Sequence, residues 1–227
     1  MSSLTSAVLW SQKLLKEKLK RGDFVIDGTA GKGNDSLFLA QHVLPDGLLW
    51  AFDIQAEAIE KTKGKLEEAG FSARAYSTLP SLGLSDQLGE QAKKNFALLQ
   101  EGIHLIRADH SEVDQLLAQP LECPPLKGAI FNLGYLPGGD HGVTTQAETT
   151  ISALQTLSKH LAPEGRLVVV VYVGHEGSAE EAEAVDKWWT DLPHEQWDTL
   201  SISFPNRRGH PPYVLLAEKK KVKGRCK

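Results

Sequence analysis

Asp27-Gly28-Thr29-Ala30-Gly31-Lys32-Gly33-Asn34-Asp35 is the stretch on which the reading of this chain turns. A short apolar run, Phe24 to Asp27, leads into it, and a helical pattern from Asp35 to Val43 leads out. Gly31 and Gly33 let the backbone turn tightly and approach a ligand closely. The helix start at Asn34 and Asp35 presents free backbone N–H groups. Asp53 lies 20 residues beyond Gly33, in the next apolar run, Leu48 to Ile54. A carboxylate there accepts hydrogen bonds from ribose hydroxyls, which is how an open α/β sheet fixes an adenosine.

Three nucleotide readings compete at such a turn. A phosphate-cradling P-loop needs Gly-Lys-Ser/Thr at its end, whereas Gly33 is followed by Asn34, so that reading fails. A dinucleotide fingerprint would read Gly31-x-Gly33-x-x-Ser36. Its third glycine is missing, and Asp27 and Asp35 would set negative charge beside a pyrophosphate. S-adenosylmethionine has no phosphate and carries a positive sulfonium and an ammonium group, which carboxylates suit. The sign of the charge therefore selects S-adenosylmethionine as cofactor, with Asp27, Gly31, Gly33, Asn34, Asp35 and Asp53 as candidate binding residues.

Outward from the turn, helical and strand-like patterns alternate. Helical patterns cover Leu9 to Lys20, Ala56 to Ala69, Thr145 to Leu161 and Ala179 to Thr190. Ile151, Leu154, Leu157 and Leu161 mark one face of the long helix. Strand-like runs fall at Ile103 to Ala108, Gly128 to Leu133, Leu167 to Val173, Thr199 to Phe204 and Tyr213 to Ala217. The run Leu167 to Val173 is apolar on both faces, as a central parallel strand should be. Only the loop Pro205 to Pro212 separates the last two strands, too short for a parallel crossover, so they form an antiparallel pair. The expected fold is Rossmann-like α/β: a seven-stranded, mostly parallel sheet with an antiparallel C-terminal hairpin and helices on both faces, the class I methyltransferase layout. One domain is expected over residues 1–221, followed by a basic tail, 222–227. Phe71 to Gln100 breaks the rhythm as an insertion, with a helix predicted from Gln87 to Leu99.

Bulk properties narrow the function classes. The chain has 227 residues and a net charge of −4, which argues against broad coating of nucleic acid but leaves room for local basic patches. Two cysteines, Cys123 and Cys226, show no metal-ligand spacing, so no metal is expected and a reducing, cytoplasmic compartment fits. There is no secretory leader pattern and no run long enough for a membrane span. Oligomeric state is open, a homodimer included.

Two further strand ends carry candidate chemistry. Asp109 and His110 end the third strand-like run of this half, where the edge of the sheet lies beside an adenine. Asp109 reads equally as an acceptor from the adenine amine and as a helix N-cap, with Glu112 and Asp114 in the first turn. Asn132-Leu133-Gly134-Tyr135-Leu136-Pro137-Gly138-Gly139-Asp140-His141 follows the next strand. It is similar to the Asn/Asp-Pro-Pro-Tyr signature of amino-group methyltransferases, with Leu133 and Gly134 in place of the prolines. The Asn132 side-chain carbonyl can accept from an amine and aim its lone pair, and Tyr135 can stack on a planar base. Asp140 or His141 could take a proton from an arriving ammonium, or belong to an ordinary polar loop. Arg207 and Arg208, in the hairpin loop, are the better candidates for phosphate contacts, and the lysines of the tail read as a solvated end. Gly174-His175-Glu176-Gly177 could line the substrate side.

Taken together, Asp27-x-Thr29-x-Gly31-x-Gly33-x-Asp35, Ala51-Phe52-Asp53-Ile54-Gln55, FNLGYLPGGD from Phe131 to Asp140, Val170-Val171-Tyr172-x-Gly174-His175 and Pro211-Pro212 resemble the YtqB/MnmM family along nearly the whole chain. That family was long labelled "putative rRNA methylase", and it includes tRNA 5-aminomethyl-2-thiouridine methyltransferases acting at the wobble uridine. The resemblance implies methyl transfer from S-adenosylmethionine to the primary amine of that base, with the tRNA anticodon stem-loop as partner. By analogy Gly31, Gly33, Asn34, Asp35, Asp53, Gln55 and His110 would contact cofactor, and Asn132 and Tyr135 the target amine and base. Gly134, His141, His175, Arg207 and Arg208 are the candidate substrate or RNA residues. Thr29 stands at the usual first glycine position, as in this family, and Lys32 at a position often Asn. An rRNA or small-molecule N-methyltransferase, or a non-catalytic RNA-binding module on the same fold, are the competing functions.

Overall fold

The computed structural model describes residues 6–80, 99–119, 122–134, 144–173 and 178–221. The chain divides into two compact units, Leu19–Leu126, and Met1–Lys18 together with Lys127–Lys227.

The first of these units holds β1 (Phe24–Asp27), α2 (Asn34–Val43), β2 (Leu48–Asp53), α3 (Ala56–Glu68), β3 (Ala73–Tyr76) and β4 (Gly102–Arg107). A single 3-10 turn (His110–Glu112) and a short α4 (Val113–Leu117) follow. All four strands are parallel, in the order β3-β4-β2-β1. The two central strands are almost wholly apolar because both of their faces are covered: β1 is buried throughout, and β2 at every residue but Asp53. Trp50 is the largest side chain in this core, fully buried, edge-on to Phe24 at 4.8 Å, with its indole N–H donating to the Leu99 carbonyl at 3.0 Å. Register aligns Asp27 with Ala51 and Asp53 with Arg107, so Asp27, Asp53 and the chain entering the 3-10 turn all lie at one carboxyl edge.

The stretch expected to be an insertion contributes a strand. Ala73–Tyr76 pairs in parallel with β4, Ala73 opposite Ile103 and Tyr76 opposite Ile106, and this makes eight strands in all among the described residues, one more than expected. Four residues with no buried position among them give no apolar run to read. The helix expected from Gln87 to Leu99 lies outside the described residues apart from Leu99.

The second unit holds α1 (Ala7–Lys16), β5 (Leu126–Leu133), α5 (Ala147–His160), β6 (Arg166–Val171), α6 (Ser178–Thr190), β7 (Trp197–Ile202) and β8 (Tyr213–Lys219). β5 and β6 are parallel; β8 runs antiparallel to β6 on one side and to β7 on the other, in the order β5-β6-β8-β7. The short Pro205–Pro212 connection thus joins antiparallel neighbours, as its length requires. α5 buries Thr150, Ala153, Leu154 and Leu157, with Leu161 buried just beyond its end, while Ile151 sits half-buried at the edge of that face. No described helix is long and apolar enough to cross a membrane.

Candidate functional site

The turn after β1 is held from four sides. Gly31 and Gly33 both adopt left-handed backbone, φ 54° and 73°. The Ala30 N–H donates to the Phe52 carbonyl at 2.8 Å and the Gly33 N–H to the Ala30 carbonyl at 2.8 Å. From α3, the buried Thr62 hydroxyl reaches the Gly31 carbonyl at 3.3 Å. Gly33 packs so closely on that helix that a Cβ would sit 2.8 Å from the Thr62 Cα. Finally, the Lys65 ammonium donates to the Asn34 side-chain oxygen.

Asp53 joins the turn to the start of α3. One carboxylate oxygen accepts the Gly31 N–H at 2.9 Å, the other the Gln55 N–H at 2.9 Å. Each oxygen keeps a further lone-pair direction for a ligand hydroxyl. Burial raises the Asp53 carboxyl above its ordinary value, and the two N–H groups pull the other way.

Asp27 is completely buried and accepts from the Ser36 hydroxyl at 2.6 Å and the Thr29 N–H at 3.1 Å. Burial, then the charge of the equally sheltered Asp35, pushes it up to about 7, and Asp53 adds to the rise. Three carboxyls crowded at one strand edge repel an anion and favour a cation.

At the end of β4, Asp109 caps the 3-10 turn. It accepts the Ser111 N–H at 2.8 Å while Glu112 accepts the Asp109 N–H at 3.0 Å, a complete capping box. Of its two readings the structure bears out the cap, and the second carboxylate oxygen keeps acceptor capacity. His110 is buried, which lowers its pKa, and it hydrogen-bonds the Gly28 backbone. A neutral imidazole thus ties this strand end to the glycine turn. Asp27, Gly31, Gly33, Asn34, Asp35, Asp53, Gln55, Asp109 and His110, all expected to serve the cofactor, come together in this one unit.

In the other unit, Asn132 lies near the end of β5, half-buried, with its side-chain oxygen covered. Gly134 follows at φ 143°, a backbone that favours glycine. Its N–H donates to the Thr145 hydroxyl at 2.9 Å and its carbonyl accepts the Thr145 N–H at 3.1 Å. The buried Glu181 of α6 accepts from the hydroxyls of Thr145 at 2.7 Å and Thr150 at 2.8 Å. Tyr135, Asp140, His141 and His175 lie outside the described residues. Arg207 and Arg208 are exposed in the β7–β8 loop, with the Arg207 guanidinium 3.9 Å from the Phe204 ring centre.

Sequence reasoning missed Ser36, Thr62, Thr145, Thr150 and Glu181. Glu181 did leave a signal: it falls on the stripe Ser178, Glu181, Ala182, Val185 and Trp189, where a lone acid needs buried partners.

The family model described as "Putative rRNA methylase" matches residues 49–218. This chain belongs to that family. Among its relatives is a "tRNA (mnm(5)s(2)U34)-methyltransferase, chloroplastic" of Arabidopsis thaliana, 32% identical over 214 residues, or 92% of this chain. The match covers 66% of the plant protein, so this chain spans about two thirds of that relative's length. The crystal structure of a "putative rRNA-methylase" from Clostridium thermocellum is 31% identical, covers 96% of this chain and 100% of its own, and superposes with a TM-score of 0.77. A "putative methyltransferase" from Streptococcus mutans in complex with SAH is 26% identical, covers 95% of this chain and 99% of its own, with a TM-score of 0.73. The family's fold is thus the class I methyltransferase fold: a mostly parallel sheet whose C-terminal strands turn antiparallel, as the pairings of β6, β7 and β8 show.

Proposed function

We propose that this chain is an S-adenosylmethionine-dependent N-methyltransferase that converts 5-aminomethyl-2-thiouridine at the tRNA wobble position to 5-methylaminomethyl-2-thiouridine. The observation that carries the cofactor assignment is the acid-lined glycine turn, with Asp53 bound to the Gly31 and Gln55 N–H groups and Asp27 and Asp35 behind it. The residues present fit S-adenosylmethionine. Gly31 leaves the backbone bare, Gly33 lets the turn close on α3, Asp53 has lone pairs for the ribose hydroxyls, and the sheltered carboxyls favour a cationic ligand over a phosphorylated one. When bound, the cofactor supplies an electrophilic methyl group on a positively charged sulfur. Asp27 acts on it through charge, since its side chain has no exposed surface. The choice of acceptor rests on the Arabidopsis relative's name and on Asn132 at the β5 end.

In this reading Asn132 accepts a hydrogen bond from the target amine and aims its lone pair. Tyr135 stacks on the base, and Asp140 or His141 takes the proton from an ammonium form. Arg207 and Arg208 meet phosphates of the anticodon stem-loop.

An rRNA substrate is the second reading, favoured by the family's description. Mass spectrometry of nucleosides after incubation with S-adenosylmethionine decides between them. tRNA carrying the unmethylated aminomethyl base gains one methyl at that nucleoside, while rRNA gains none. Methylation of rRNA alone would replace the proposal. Asn132→Ala should keep cofactor affinity within twofold while turnover falls by about 100-fold. Full turnover by that variant would remove Asn132 from the mechanism.

A further inference from the structure

Gly134 and Thr145 are joined by a pair of reciprocal contacts, and the Thr145 hydroxyl extends them into α6. Gly134 N–H donates to Thr145 Oγ1 at 2.9 Å, Thr145 N–H donates to Gly134 O at 3.1 Å, and Thr145 Oγ1 donates to Glu181 Oε2 at 2.7 Å. The other Glu181 oxygen accepts the Thr150 hydroxyl at 2.8 Å. Thr150 is itself completely buried on α5. One carboxylate, 4% exposed, therefore links the start of α6, the body of α5 and the residue that follows β5.

Burying a carboxylate is costly unless charged hydrogen bonds replace its water. An Ala at position 181 would suit a helix stripe made of Ala182, Val185 and Trp189 without that cost. What Glu181 supplies is direction. The Thr145 hydroxyl donates to the acid, so its lone pairs are left facing the Gly134 N–H. Gly134, at φ 143°, has no side chain of its own to fix the peptide, and two residues before it stands Asn132.

We propose that Glu181, acting through Thr145, is a positioning residue that fixes the Gly134 peptide and with it the end of β5 that carries Asn132. The proposal rests on the reading of Asn132 as the group that orients the amine. It assigns no contact with substrate to Glu181 or Thr145.

The test compares Thr145→Val, which keeps the shape and removes the hydroxyl, with Thr145→Ser, which keeps the hydroxyl, and adds Glu181→Gln. Two measurements are made on the full chain: hydrogen exchange of the Gly134 amide by NMR, and steady-state methyl transfer to tRNA bearing the aminomethyl base. Thr145→Val should speed Gly134 exchange at least tenfold and lower kcat about tenfold, with the KM for S-adenosylmethionine within twofold of wild type. Thr145→Ser should restore both. Glu181→Gln, whose amide nitrogen cannot accept a hydroxyl proton, should fall between them. Wild-type exchange at Gly134 in Thr145→Val overturns the proposal, as does equal damage in the Ser and Val variants. A KM that worsens in step with kcat also overturns it, because the effect would then be general. If the wild-type chain leaves the tRNA unmethylated, the function proposed above fails, and the exchange rates alone still decide whether the clamp exists.

Discussion

Gly33 is constrained twice over, by its left-handed backbone and by its packing on α3. An alanine there would meet the Thr62 backbone at 2.8 Å while holding φ at 73°. Left-handed strain and overpacking together should cost about 2–4 kcal/mol. A urea titration of Gly33→Ala checks this, and a midpoint equal to wild type would contradict it. Asp27 sets a pH dependence. Its folded pKa of about 7 lies above its ordinary value of 3.8, so its contribution to stability is complete below about pH 3.8 and is lost as pH rises through about 7. His104 works the other way. It is fully buried, pushed down to about 4 chiefly by burial, with Nδ1 3.0 Å from the Tyr76 hydroxyl and Nε2 2.8 Å from the Glu101 carbonyl. Its contribution is present above about 6.5 and is lost as pH falls through about 4. The two slopes oppose each other between about pH 4 and 6.5, so wild-type stability should change little there. Asp27→Asn removes one of them, and its stability relative to wild type should climb as pH rises from about 4 to 7. A flat difference between the two denaturation series would show that Asp27 does not titrate in that range.

Among the elements, α1 is tied to its unit by charge as well as by its apolar face. Arg166, at the start of β6, donates to Glu218 of β8 at 2.7 Å, to Glu17 at 3.0 Å and to the Leu14 carbonyl near the end of α1. Lys18 adds a second bond to Glu218 at 3.0 Å. Arg166 itself is buried, but both acids are partly in water, so Arg166→Met should cost about 2 kcal/mol rather than the larger loss of a fully buried pair. An unchanged urea midpoint would mean that α1 is secured by its apolar face alone. Element boundaries were legible wherever burial imposed a pattern. β1, β2 and β6 announce themselves as unbroken apolar runs because both faces are covered. β3 does not, since Ala-Arg-Ala-Tyr is an edge strand with water on part of each face. The α6 stripe was readable too, although the meaning of Glu181 depended on two threonines from elsewhere in the chain.

On the scale of the molecule, the proposed RNA substrate would have to be met by local cations, since the chain's net charge is −4. Arg207 and Arg208 are exposed, and the Arg207 guanidinium stacks on the Phe204 ring. Replacing both with Ala should weaken tRNA binding without changing cofactor affinity. It should also flatten the dependence of log affinity on log salt by about 0.7–0.9 per lost phosphate contact. An unaltered salt slope would place the RNA elsewhere. The candidate cofactor turn was legible in the sequence because a glycine turn and an acid one strand later are local signals. Pairing Asp53 with the Gly31 N–H, or His110 with the Gly28 backbone, is a property of strand register and could be seen only in three dimensions. In the proposed reading this turn holds S-adenosylmethionine by its ribose and its charge. A crystal structure with S-adenosylhomocysteine should show the ribose hydroxyls on the Asp53 carboxylate beside Gly31 and Gly33. A ligand seated away from Asp53 would contradict it.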